Sequence, residues 1–158
     1  MKRDIIQAPD VRLRAVAKNL DSNDAGSVVE DLRDTFAATG NCIGLAAPQL
    51  GHPWRAIIVD VTPKRLQTYL MVNPVIVKAS EDLQLVRDGC MSVDGGRTKA
   101  ATKRPKRIIV EWTDFDTGAA HRRKFSGLLA ACIHHEVDHL EGLLFLNRLA
   151  VNPARELL

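Results

Sequence analysis

His135-Glu136-Val137-Asp138-His139 carries the residue types that hold a divalent cation and move a proton beside it. On a helix, residues four apart lie on one face, about 6 Å apart along the axis. His135 and His139 can thus converge on one ion. Glu136 is turned by about 100° from His135, so it can stay off the metal and address water held there. The flanking residues Leu128, Leu129, Cys132, Ile133 and Val137 predict an amphipathic helix. Ser126 offers its N-cap and Gly142 marks its end. That apolar face argues against an exposed pair of histidines. A catalytic ion still needs a third protein ligand and an open coordination position.

The same five-residue pattern on a helix is the zinc site of many metalloproteases. Their third ligands are missing here. One solution needs a histidine at position 145, which is Phe145. Another needs a glutamate from a later helix; Glu141 is too near in sequence and Glu156 lies in the terminal tail. Cys132 shares the face of His135 but sits more than a turn from the ion, beyond the reach of a bond of about 2.3 Å. It reads as a small buried wall residue. Cys42 and Cys90 remain, and spacing favours Cys90 only slightly, because Gly89 lets its backbone bend toward another element.

The elements that position these residues read as α+β within a single domain over residues 1–158. Val11 to Ala17 suggests a short helical piece. Asp21-Ser22-Asn23-Asp24 caps a helix of about 15 residues carrying Val28, Leu32 and Phe36, closed by Gly40. Gly44 to Gly51 reads as a small-residue loop. Strands are expected at Arg55 to Val61, at Tyr69 to Val77 interrupted by Asn73-Pro74, and at Asp82 to Val86. A hairpin joins Arg107–Trp112 to His121–Phe125 through Asp114-Phe115-Asp116-Thr117-Gly118. Mixed or antiparallel strands then surround one late, metal-binding helix. Asn152-Pro153 argues against a long terminal helix.

Composition sets the outer bounds. The chain has 158 residues, 46% of them hydrophobic and 26% charged, ordinary for a globular protein with a real core. No apolar run approaches the roughly 20 residues that span a bilayer. Asp4 and Gln7 interrupt the basic start, so a secretory signal is not expected. Three well-separated cysteines make a poor disulfide framework and suit a reducing cytoplasm. A net charge of +3 tolerates an anionic partner without requiring one. A monomer is expected, with neither DNA nor a membrane as partner.

Three separated stretches then coincide. Gly44-Leu45-Ala46-Ala47-Pro48-Gln49, Gly89-Cys90-Met91-Ser92 and His135-Glu136-Val137-Asp138-His139-Leu140-Glu141-Gly142 resemble, in order and spacing, the signature motifs of peptide deformylases. The resemblance runs from about Pro9 to Leu149. It implies that Cys90, His135 and His139 hold the metal and that Glu136 is general base and acid. It also implies an oxyanion site made by Gln49 and the backbone N–H of Met91. The activity implied is removal of the formyl group from N-formylmethionine of nascent polypeptides, with metal-activated water and release of formate. The implied metal is Fe²⁺ in the cell, with Zn²⁺ or Ni²⁺ replacing it in preparations. The family pattern places Ile43, Val86, Leu128 and Cys132 around the methionine side chain and Arg97 at the pocket edge, with Gly44 as a further substrate-binding residue. Asp138 reads as orienting groups behind the metal ligands or, alternatively, as an exposed helix aspartate. The rival activities are an endopeptidase with similar chemistry and a binding protein that captures nascent N-termini without catalysis. Retention of Gln49, Cys90, His135, Glu136 and His139 favours the deformylase.

Several positions depart from the family pattern. Cys42 replaces a glycine, Asp88 a glutamate, Met91 a leucine-like residue and His134 a glutamine. Thr102 stands where an arginine usually pairs with the carboxylate at position 88, leaving Lys103 or Arg104 as substitutes. The chain resembles short forms without the C-terminal helix that contacts the ribosome. Basic clusters at Arg97–Arg107 and His121–Lys124 are solvated faces or, alternatively, contacts for ribosomal RNA.

Overall fold

The computed structural model describes residues 1–150, so the expectations for Asn152, Pro153 and Glu156 fall outside the described residues. The long helices are α1 (Ser22–Ala38) and α2 (Gly127–Leu140). The strands are β1 (Gly44–Ala46), β2 (Ala56–Val59), β3 (Tyr69–Ala79), β4 (Leu83–Gly89), β5 (Lys99–Pro105), β6 (Arg107–Asp114) and β7 (Ala120–Ser126). Five of them form an antiparallel sheet in the order β1-β2-β3-β6-β7, and β4 pairs with β5 as a separate antiparallel ribbon. The expected α+β class holds, with antiparallel rather than mixed sheets. Helix α2 packs against all seven strands.

Period-two burial explains how one short strand serves two cores. In β2, Ile57 and Val59 pack with Ile133, Val137 and Leu140 of α2. The alternate residues Ala56 and Ile58 pack with Val28, Leu32 and Phe36 of α1. Successive strand side chains point to opposite faces, so a strand covered on both faces reads as an unbroken apolar run. Met71 in β3 faces α2, while Leu70 and Val72 face α1, repeating the rule.

Helix α1 begins where the capping residues predict. Asp21 accepts from the backbone N–H of Asn23 at 2.9 Å and of Asp24 at 3.4 Å. At the end of α2, Gly142 has φ +73, and the Leu143 N–H reaches back to the Asp138 carbonyl at 2.9 Å. A Cβ at Gly142 would lie 2.4 Å from the Arg14 carbonyl oxygen, so positive φ and close approach both require glycine.

Four local expectations change. Ser126 precedes α2 but forms no side-chain capping bond. Gly44–Gly51 is an ordered strand β1 followed by a 3-10 turn, Ala47–Leu50, because Gln49 Oε1 accepts from the Ala46 N–H at 2.9 Å. Asn73-Pro74 does not break β3: a bulge between Val72 and Val75 absorbs the proline, which has no N–H to give a ladder. Asn73 sits at φ +50 and clamps the Leu20 backbone, accepting its N–H at 2.7 Å and donating to its carbonyl at 3.0 Å. The fourth change is β5, a strand hidden in the sequence by its charges.

Candidate metal centre and substrate cavity

Two elements meet to build the site. Helix α2 presents His135 and His139, and the turn after β4 presents Cys90. Cys90 Sγ lies 3.2 Å from His139 Nε2. One donor atom from each of Cys90, His135 and His139 falls within 4.8 Å of the others, and all three residues are buried. A sulfur and two imidazoles at that separation fit a tetrahedral site with one position left open. Cys42, the competing thiol, donates instead to the Gly44 carbonyl at 2.8 Å.

Burial pushes the Cys42 thiol up to about 12 and the Cys132 thiol well above its ordinary range, so both are protonated wall residues. Burial holds His139 well below the ordinary imidazole range, whereas His135, despite its burial, is held up to about 10 by Asp88 and Cys90.

Behind the ligands stands a buried charge cluster. Asp88 Oδ1 is 2.9 Å from His135 Nδ1, which leaves Nε2 as the nitrogen that could meet an ion. Asp88 Oδ2 accepts from Arg104 Nε at 2.7 Å and from the Thr102 hydroxyl at 3.0 Å. Burial pushes Asp88 up, but His135 and Arg104 outweigh it and hold the carboxyl below its ordinary range. Arg104, fully buried, also donates to Asp138 Oδ2 at 3.0 Å. Arg148 meets the same Asp138 through two nitrogens, at 3.1 and 3.0 Å. His134 Nδ1 lies 2.8 Å from Arg104 Nη1, engaged with this cluster rather than with the three ligands. Of the two substitutes for Thr102, Arg104 makes the pairing. Residues 102 and 104 point the same way from a strand, so a shift of two preserves the face.

Glu136 is buried beside the three ligands, and its Oε2 has no hydrogen-bond partner among the described residues. Desolvation raises its pKa to about 7, although His135 pulls it down. Gly44 makes room for this carboxylate: a Cβ there would lie 2.5 Å from Glu136 Oε1 and 2.9 Å from Cys132 Sγ.

Gln49 is fixed at both ends of its amide. Its Oε1 is held by Ala46 as described, and its Nε2 donates to Ser92 Oγ at 3.0 Å and points at Cys90 Sγ, 3.5 Å away. Gln7 anchors the Met91 carbonyl at 2.8 Å, tying the turn that carries Cys90 to the N-terminal segment.

Ile43, Gly44, Gln49 and Val86 line one cavity with Cys90 and Met91, closed by Leu128, Cys132, His135 and Glu136 from α2. His139 lies behind them. Arg97 is not among the lining residues; it is exposed and donates to Asp94 Oδ1 at 2.6 Å. Lys99 lines the cavity instead. The sequence reading missed Lys99 and Ser92. The signal for Lys99 was the two-residue period running from 99 to 105, masked by the lysines and arginines of the same stretch.

The sequence profile of the polypeptide deformylase family matches residues 2–154. A peptide deformylase of Novosphingobium aromaticivorans is 34% identical, the match covering 94% of this chain and 89% of that protein. Peptide deformylase 2 of Vibrio cholerae is 36% identical, over 93% of this chain and 86% of that one. The crystal structure of the Thermotoga maritima peptide deformylase superposes with a TM-score of 0.86 at 26% identity, covering 96% and 99% of the two chains. An actinonin-bound class I type b peptide deformylase from Acinetobacter baumannii gives 0.84 at 26% identity, covering 95% and 99%. With its three motifs converging on one cavity and its whole fold shared, this chain belongs to the peptide deformylase family.

Proposed function

We propose that this chain hydrolyses the formamide C–N bond of N-formylmethionine at the start of nascent polypeptides, yielding formate and a free amino group. The observation that carries the reading is the convergence of Cys90, His135 and His139 beside an unpartnered Glu136 oxygen. A Met-Ala-Ser complex of the Acinetobacter baumannii deformylase, 26% identical with a TM-score of 0.84, supports a peptide beginning with methionine as the occupant of the cavity.

Cys90, His135 and His139 would hold one divalent cation, which would supply acidification of water and polarisation of a carbonyl. One thiolate and two imidazoles suit Fe²⁺, Ni²⁺ and Zn²⁺; Fe²⁺ is the ion proposed for the cell. Glu136 accepts the proton of the attacking water and passes it to the departing nitrogen as the C–N bond breaks. A carboxyl poised near neutrality serves both steps. The Gln49 amide and the Met91 backbone N–H donate to the oxygen that gains charge, and both are neutral, fixed donors. Asp88 orients His135 and is itself held by Arg104. The methionine side chain fills the apolar part of the cavity between Val86, Leu128 and Cys132, with Ile43 and Gly44 along its edge.

No helix among the described residues is long and apolar enough to cross a membrane. The proposed setting is the cytoplasm, as a monomer working on nascent chains, with the exposed residues Lys106, Arg107, Arg122, Arg123 and Lys124 available to ribosomal RNA. Formate release from N-formylmethionyl tripeptides by anaerobically loaded Fe²⁺, Ni²⁺ and Zn²⁺ protein tests this reading beside an endopeptidase assay. Formate without internal cleavage is expected; internal cleavage, or binding without formate, overturns it.

A further inference from the structure

The mouth of the cavity carries positive charge that bond cleavage does not use. Across the β4–β5 ribbon, Gly89 faces Lys99 and Arg87 faces Ala101. Residues directly opposite share a face, so Arg87 and Lys99 are diagonal neighbours on one face. Both line the cavity. The Lys99 side chain lies back across Gly89, where a built Cβ would come within 2.6 Å of Nζ. Its ammonium therefore stands beside the residue that precedes Cys90. Arg87 and Lys99 are exposed, and neither forms an ion pair among the described residues. Of the cavity's two carboxylates, Asp88 is paired with Arg104, and Glu136 is buried on α2 rather than at the mouth.

We propose that Arg87 and Lys99 select formylated peptides bearing an aspartate or glutamate within the first few residues after the formylmethionine. The inference rests on the deformylase reading above. With the methionine side chain between Val86 and α2, the rest of the peptide leaves through the open mouth. An extended chain advances about 3.3 Å per residue. A carboxylate one to three residues downstream thus comes within reach of two long cationic side chains. Neither residue has a part in breaking the C–N bond in this reading, so the preference belongs in KM rather than kcat.

The test uses the metal-loaded full chain and three C-terminally amidated peptides, formyl-Met-Ala-Glu, formyl-Met-Ala-Gln and formyl-Met-Ala-Lys. Amidation removes the competing terminal carboxylate. At low salt the Glu peptide should exceed the Gln peptide by about fivefold in kcat/KM, carried by KM, with the Lys peptide lowest. The ratio should shrink toward one at 1 M salt, where the screening length falls to about 3 Å. Lys99→Ala and Arg87→Ala should each reduce it, and the double variant Arg87→Glu/Lys99→Glu should invert it. Equal turnover of all three peptides at low salt, or a ratio unmoved by the double variant, overturns the preference and leaves the deformylase reading standing. Formate from none of the three overturns both.

Discussion

Gly44 and Glu136 are matched by size. The carboxylate rests where a side chain on Gly44 would be, 2.5 Å from an ideal Cβ. Gly44→Ala should therefore push Glu136 out of line while leaving all three ligands in place. Displacement of a reacting group by about 1 Å can cost about 100-fold, so kcat should fall by about that factor at unchanged metal content. Formate assays paired with metal analysis would show it; wild-type turnover would mean the carboxylate tolerates the shift. At this scale the sequence was most legible. His135, His139 and Glu136 follow from helical spacing alone. Cys90 and Cys42 are not separable that way, because the difference is made by tertiary structure: one thiol faces His139 and the other a carbonyl in its own loop. Arg97 is the opposite case, a residue that the family pattern puts at the pocket edge and that the local turn here directs to Asp94.

Between elements, the ribbon β4–β5 is fastened to α2 through Arg104. The guanidinium is fully buried between Asp88 and Asp138. Arg104→Met removes their shared counter-charge and should destabilise the fold by about 3–5 kcal/mol in denaturant titrations. It should also weaken metal affinity by about 10–100-fold, because Asp88 would no longer hold His135 in register. An unchanged unfolding midpoint would remove Arg104 from this role. The strand that carries it was hard to read, since a run of lysines and arginines hides its alternation: Thr102 and Arg104 are buried, while Lys99 and Lys103 are exposed. A buried arginine appears in no hydrophobic pattern; only its two carboxylate partners account for it.

Asp60 organises the turn between β2 and β3. Burial pushes its carboxyl up, but the Thr62 hydroxyl and N–H, the Thr68 hydroxyl and the Gln67 N–H hold it below its ordinary value. A carboxyl lowered by folding adds stability that is complete above its unfolded value near 4. That stability is lost as pH falls through the lower, folded value. Wild-type protein should therefore lose more stability between pH 5 and 3 than Asp60→Asn, as read from urea midpoints. Equal losses would show that Asp60 is not the group responsible.

At the scale of the molecule, the metal-capable group of Cys90, His135 and His139 joins two parts that are remote in sequence, α2 and the turn after β4. A bound ion stabilises the native state by mass action, by about 4 kcal/mol at a thousand times its dissociation constant. Chelation should lower the melting temperature, and Fe²⁺, Ni²⁺ or Zn²⁺ should restore it; an unaffected melting curve would show that the ligands hold no ion in solution. The α+β architecture was legible because the apolar runs of β2 and β3 and the stripe of α2 each have a clear period. The split into a five-stranded sheet and a separate ribbon was not, since strand partners are chosen across long loops that leave no local trace. The most direct measurement compares wild type with Glu136→Ala, both loaded with the same metal under anaerobic conditions, for formate release from an N-formylmethionyl tripeptide. Equal metal content with turnover lower by at least about 100-fold in the variant is the expected result. Equal turnover in the two proteins, or no formate from fully loaded wild type, would contradict it.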